Sequence, residues 1–173
     1  VKRFTKAILI TLASLAILAT AVISVYSLQG RTQANDANVA AAQTQAPTTA
    51  ELLKLVNEER AKNGASPLIE DSRIDASAQR KADDMLKYDY FAHVSPHDGK
   101  QGYTYINDSA PGLCKYGSEN LAWNADKSQI TSAEAVSWWI SSKPHHEAMI
   151  DKKYTLTGFG ITKDAVVEHF CEQ

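Results

Sequence analysis

No cluster of lysine and arginine occurs in the globular part of this chain, and that absence sets the first limit on what it binds. Of its 173 residues, 18 are Lys or Arg and 20 are Asp or Glu. They are unevenly placed. Residues 1–49 hold Lys2, Arg3, Lys6 and Arg31 against Asp36, and the remainder holds 14 basic against 19 acidic residues. A phosphate backbone calls for a basic stripe, so nucleic acid is discounted as a partner. Cysteine is scarce, with Cys114 and Cys171 the two present. There is no G-x-S-x-G turn to present a serine nucleophile and no glycine-rich phosphate loop. His146-Glu147-Ala148-Met149-Ile150 begins like the zinc-protease H-E-x-x-H. Ile150 stands where the second imidazole must be, one helical turn on, for both rings to reach one metal. No internal repeat is present.

What remains is the composition of a globular domain, 44% hydrophobic and 22% charged, at a length that suits one domain with additions. Lys2, Arg3 and Lys6 precede 22 uncharged residues, Ala7 to Leu28. At about 1.5 Å per residue a helix of that length spans about 33 Å, enough to cross the hydrocarbon core of a bilayer. Residues 1–28 therefore read either as a transmembrane signal anchor or as a cleaved signal peptide. Ala19-Thr20-Ala21 and Val25-Tyr26-Ser27 offer small-residue cleavage patterns, although a cleaved peptide has a shorter apolar region of about 7–15 residues. A core helix would show a polar face. Both readings keep the basic flank inside and place the rest outside the cell, secreted or tethered to the membrane. Residues 29–48, rich in Ala, Gln and Thr, read as a flexible linker, and residues 49–173 as the folded domain. In an exported chain an even cysteine count points to one disulfide. Two buried thiols are the alternative.

From Thr49 onward the pattern is of helices followed by strands. Thr48 or Thr49 can cap a helix over Ala50–Asn63, with Gly64 ending it. Asp71 or Ser72 opens a second, with Ile74, Ala78, Ala82 and Met85 on one face. Thr131 and Glu134 fit a capping box that opens a third, with Val136, Trp139 and Ile140 on its buried side, and helical turns continue from His145 to Ile150. Segments 157–162 and 166–171 alternate like strands joined by a short turn, and 120–123 suits a third. Residues 91–115, punctuated by Pro96, Gly99, Gly102, Pro111 and Gly112, read as mostly loop. The expected class is α+β, in layers.

Periodicity does not unite the residues able to carry chemistry, namely His93, Glu119 and His145, with His97, His146 and Glu134 behind them. His97 reads as a solvated loop histidine, His146 as solvent-facing beside Glu147, and Glu134 as the capping acid. A resemblance does unite the first three. Asn57 to Arg60 with Gly64 and Leu68 resembles N-x-x-R-x-x-x-G-x-x-x-L, and Ala78, Ala82 and Asp84-Met85 resemble A-x-x-x-A-x-D-M. Phe91-Ala-His93-Val-Ser-Pro96 resembles F-x-H-x-S-P, and Gly117-Ser-Glu119-Asn-Leu-Ala122 resembles G-E-N-[IL]-A. Ala135 to His145 resembles A-V-x-x-W-x-x-S-x-x-H, and Tyr154 to Gly160 a glycine-bearing strand. In this order they resemble a bacterial domain of the CAP superfamily, which comprises the cysteine-rich secretory proteins, antigen 5 and pathogenesis-related proteins.

The resemblance implies a three-layer α–β–α sandwich, with helices on both sides of a small antiparallel sheet. It also implies a cavity lined by two His and two Glu. His93 and His145 match the two histidines and Glu119 the first glutamate. The second glutamate falls on Ser142, so the cavity set becomes His93, Glu119, His145 and Ser142. Ser118 replaces a glycine before the glutamate, and a one-residue shift there would reposition Glu119. Two facing neutral imidazoles can hold a divalent ion, most naturally zinc, with a carboxylate orienting one of them. The alternative is a polar cavity whose His and Glu satisfy each other. A disulfide from Cys114 to Cys171 would pin the loop before Glu119 to the last strand. The expected function is an extracellular binding module for a lipid, an envelope component or a protein partner. A metal-dependent hydrolase with Glu119 as base is the alternative enzyme, and an adhesive or structural envelope protein is the third class.

Overall fold

The structure, a computed structural model, describes residues 45–173. The expected export or anchor segment 1–28 and most of the linker lie outside the described residues. Among the described residues no helix is long and apolar enough to cross a membrane. Packing begins within the last residues of the expected linker. Pro47 is buried, and the Thr48 amide donates to Ser132 Oγ at 3.3 Å.

Five helices and four strands follow: α1 (Thr49–Lys62), β1 (Ile69–Glu70), α2 (Ser72–Tyr88), α3 (Gly102–Ser109), β2 (Tyr116–Trp123), α4 (Ser132–Ser141), α5 (Lys143–Ile150), β3 (Leu156–Ile161) and β4 (Ala165–Glu172). The caps are those the sequence signals. Thr48 Oγ1 accepts from the Glu51 amide at 3.2 Å, and Asp71 Oδ1 from the Arg73 amide at 2.9 Å. Thr131 and Glu134 form the reciprocal box. Ile140, expected on the buried side of α4, is exposed, while Val136 and Trp139 are buried. Two elements also differ from expectation. Helix α3 lies in the stretch read as loop, and β1 is added.

The sheet order is β1-β3-β4-β2. Pairs β3–β4 and β4–β2 are antiparallel, while β1 runs parallel to β3, so the sheet is mixed rather than wholly antiparallel. Alternation along β4 sends Val166 and Phe170 to one face, where Leu52 and Val56 of α1, Trp139 of α4 and Met149 of α5 complete one core. It sends Ala165 and Val167 to the other face, against Ala78, Ala82 and Met85 of α2. The architecture is a three-layer α–β–α sandwich.

Two devices tie the layers together. Arg60, fully buried on α1, donates through Nε to the Ser66 carbonyl at 2.8 Å and through its terminal nitrogens to the carbonyls of Met149, Asp151 and Tyr154 at 2.6, 3.0 and 3.1 Å. One guanidinium thus closes the turn after α1 and the α5–β3 connection, which accounts for the arginine of the first motif. On the other face, β1 pairs only with Leu156 and Thr157. Beyond that point α2 takes over the exposed edge of β3. Asp75 Oδ1 accepts from the Phe159 amide at 2.8 Å, and Gln79 Oε1 from the Ile161 amide at 2.9 Å.

Cys114 and Cys171 form the disulfide, with Cα atoms 5.3 Å apart. The bond ties the segment entering β2 to the end of β4.

Among the described residues one acid is fully buried. Glu168 is fully buried on β4, opposite Asn120 in register. Burial pushes its carboxyl well above the usual range, against the Thr157 hydroxyl and the Arg60 charge that favour the anion. Between the ordinary value near 4.5 and the raised folded value, the native state holds a proton that the unfolded chain has lost. This contribution to stability is therefore complete below the unfolded value and is lost as pH rises through the window, by at most about 1.4 kcal/mol per pH unit. Glu168→Gln should abolish that component of the slope. Urea titrations of both proteins at a series of pH values check this, and parallel stability curves would contradict it.

Candidate functional site

Strand β2 forms one edge of the sheet. Its residues Gly117 to Asn120, the start of α3 (Gln101 to Tyr103), Pro144, His145 and Ala148 at α5, and His93 from the α2–α3 connection line a cleft of about 390 Å³.

His93 reaches the cleft because the chain leaves α2 through Asp89, left-handed at φ 51°, and is then clamped by Lys81. This lysine lies on the inner face of α2 and is fully buried. Its ammonium donates to Tyr90 Oη at 3.0 Å and to the carbonyls of Ala92 and His93 at 2.7 and 3.1 Å. Tyr90 donates in turn to Asp84. Burial pushes the Asp84 carboxyl up, but the hydroxyls of Tyr90 and Ser95 outweigh it and leave it below the usual carboxylate range.

Glu119 and His169 are register partners on β2 and β4. Glu119 Oε1 lies 2.8 Å from His93 Nδ1 and Oε2 lies 2.9 Å from His169 Nε2. Burial pushes this carboxyl up, but the two imidazoles and the Lys81 charge outweigh it, so it stays below its ordinary range and is ionised at neutral pH. His145 stands opposite His93, with ring centroids 6.3 Å apart and planes tilted by 53°. Burial, and then the neighbouring His93, lower the His145 pKa, so His145 favours the neutral form able to ligate. The Asn120 side chain holds the first turn of α5 by donating to the His145 carbonyl at 3.1 Å.

Residues 53–171 match the profile of the CAP family, described as the cysteine-rich secretory protein family. The chain belongs to this family. It is 31% identical over 117 residues to YkwD, an uncharacterised protein of Bacillus subtilis, covering 67% of this chain and 43% of that protein. It is 27% identical over 134 residues to YlbC, an uncharacterised membrane protein of the same organism, covering 73% and 35%. The chain thus spans less than half the length of these two relatives. In fold it is similar to an extracellular SCP-domain protein of Bacillus anthracis (TM-score 0.65, 21% identity, 72% of this chain and 40% of that one). It is also similar to an outer surface protein of Borrelia burgdorferi (TM-score 0.63, 21% identity, 70% and 90%).

Within this CAP domain, His93, Glu119 and His145 come together in one cleft. Ser142 does not join them. It flanks the N-terminus of α5, half-buried, and is not among the residues lining the cleft. Pairing of β2 with β4 runs without a bulge from Tyr116 to Trp123, so Ser118 causes no shift of Glu119. His146 is not simply solvent-facing, because its Nε2 lies 2.9 Å from Glu59 Oε1. His97 stacks on exposed Tyr88 at 4.0 Å, away from the cleft. Among the described residues no group of three or more His, Cys, Asp or Glu is arranged to hold a metal.

His169 and Lys81 escaped the sequence reading, yet both left a trace. Each is a polar side chain on a largely apolar face. Lys81 falls between Ala78, Ala82 and Met85, and His169 between Val167 and Cys171.

Proposed function

We propose that this domain is an extracellular binding module whose cleft takes an amphipathic envelope component, a lipid being the simplest case, beside a zinc ion held by His93 and His145. The observation that carries the proposal is the imidazole pair facing across the cleft, with Glu119 hydrogen-bonded to His93 Nδ1. That bond leaves His93 Nε2 as the ligating atom. A carboxylate behind a ligating histidine is the usual support of a zinc site. An adjoining groove of about 440 Å³ shares Tyr103 and Gly117 with the cleft. Exposed Tyr103 and Tyr116 border it and suit the apolar part of such a ligand. The extracellular and outer-surface relatives support the location. The binding reading is favoured over hydrolysis because both oxygens of Glu119 are engaged by imidazoles, so this carboxylate is an orienting group rather than a base poised over water.

Titration calorimetry of the metal-free protein with zinc at neutral pH tests the metal. Uptake is expected in the wild type and should weaken below about pH 6, as imidazole gains a proton. His93→Ala and His145→Ala should each abolish it, whereas His97→Ala and His146→Ala should leave it unchanged. No uptake by the wild type would end the zinc reading. Native mass spectrometry tests the lipid, and a protein that binds none from phospholipid micelles would end that part.

A further inference from the structure

We propose that Ser77 and His169 form a buried positioning pair that, through Glu119, fixes the tautomer of His93. The inference rests on the reading above only in taking His93 Nε2 as the atom presented to the cleft.

The chain of contacts runs from the core outward. Ser77, on α2, and His169, on β4, are both fully buried. Ser77 Oγ lies 2.7 Å from His169 Nδ1 and 2.8 Å from the Ile74 carbonyl. His169 Nε2 lies 2.9 Å from Glu119 Oε2, and Glu119 Oε1 lies 2.8 Å from His93 Nδ1. An ionised carboxylate only accepts hydrogen bonds. Both ring nitrogens that face it must therefore carry hydrogen, which makes His169 a donor at Nε2 and His93 a donor at Nδ1. The lone pair of neutral His93 is then at Nε2. The far end of the chain is adaptable. The Ser77 hydroxyl donates to His169 Nδ1, or accepts from it while donating to the Ile74 carbonyl, so His169 always finds a partner.

Without His169 the carboxylate would have one anchor, the half-exposed His93 (side chain 56% exposed, against 5% for Glu119). It could then turn about its terminal bond and leave Nδ1. A second feature confines it from another direction. A Cβ at Gly102, the first residue of α3, would stand 2.8 Å from Glu119 Cβ and 2.9 Å from Oε2. The glycine leaves room for this one placement of the carboxylate. Neither His169, Ser77 nor Gly102 needs to touch a ligand to act, so all three are positioning residues.

Long-range proton–nitrogen NMR correlations on the ¹⁵N-histidine-labelled, metal-free full chain read the tautomer directly. The wild type should show His93 with hydrogen at Nδ1. In His169→Phe, which keeps the bulk and removes the donor, His93 should become a mixture of tautomers, and zinc affinity should fall about 10- to 100-fold. His169→Gln supplies an amide donor for Glu119 and a carbonyl for Ser77, and should restore both readouts. Gly102→Ala reaches the same carboxylate from another element and should also mix the tautomers, which keeps the test alive if His169→Phe does not fold. An unchanged Nδ1–H tautomer of His93 in folded His169→Phe or Gly102→Ala would overturn the inference. Failure of the wild type to take up zinc would overturn the metal reading instead, and the tautomer would still decide this one.

Discussion

Replacing Gly160 with alanine should cost the domain about 3 kcal/mol or more, the upper range for overpacking a core. A Cβ built on this residue overlaps the carbonyl of Ala78 and the amide nitrogen of Gln79, and one on Gly158 overlaps the backbone of Ile74 and Asp75. The obstacle in both cases is main chain of α2, which cannot step aside as a flexible side chain can. The close approach has a purpose. It lets Asp75 and Gln79 accept the β3 amides of Phe159 and Ile161 that β1 is too short to pair. Moving α2 outward would strand those amides as well as open the core. With a urea m value of about 1–3 kcal/mol/M for a small domain, the midpoint should fall by about 1 M or more. Ala78→Gly in the same chain should not rescue it, since the clash is with backbone. A midpoint within about 0.3 M of the wild type would show that α2 does not need this spacing.

The glycines of β3 were visible in the sequence as a spacing, but their reason was not, because it lies in a helix about 80 residues earlier in the chain. The same division holds throughout. Helices α1, α2 and α4 announced themselves through caps and apolar faces, which are local properties. Helix α3 did not. It has eight residues, begins with Gly102 and has no side-chain cap. It is held by burying Tyr105 and Ile106, a tertiary contact that periodicity cannot report. Strand β1 is two residues long, below any pattern. His93, Glu119 and His145 were legible only through the family resemblance, since no periodicity links residues on a loop, a strand and a helix. Ser142, carried over by the same resemblance, is the residue immediately before α5 and does not line the cleft. His169 needed the register of β2 against β4, which no local signal encodes.

Lys81→Met should destabilise the domain by about 3 kcal/mol and loosen the connection that carries His93. The substitution keeps the length and the apolar stem of the side chain, so it isolates the ammonium. That group is shared by Tyr90 Oη and the carbonyls of Ala92 and His93. Burial lowers the lysine pKa, and the charges of Glu119 and Asp84 oppose that. Buried ammonium, carboxylates and carbonyls here compensate one another, and removing one member leaves the others in a poorly solvated setting, where an unpaired group costs about 1–3 kcal/mol and a charged one more. The loss should be local before it is global. Amides of Ser95 and Gly99, which close the turn after His93 on the carbonyls of Lys100 and Ser95, should exchange with solvent much faster in the variant, while those of β4 should speed up only by as much as global stability falls. If the proposed zinc site exists, its affinity should fall with them, because His93 would no longer be held opposite His145. Lys87→Met, on the outer side of the same helix, should change neither stability nor exchange. If Lys81→Met keeps its urea midpoint and the Ser95 and Gly99 amides stay protected, the connection is held by its own turn and not by the buried lysine.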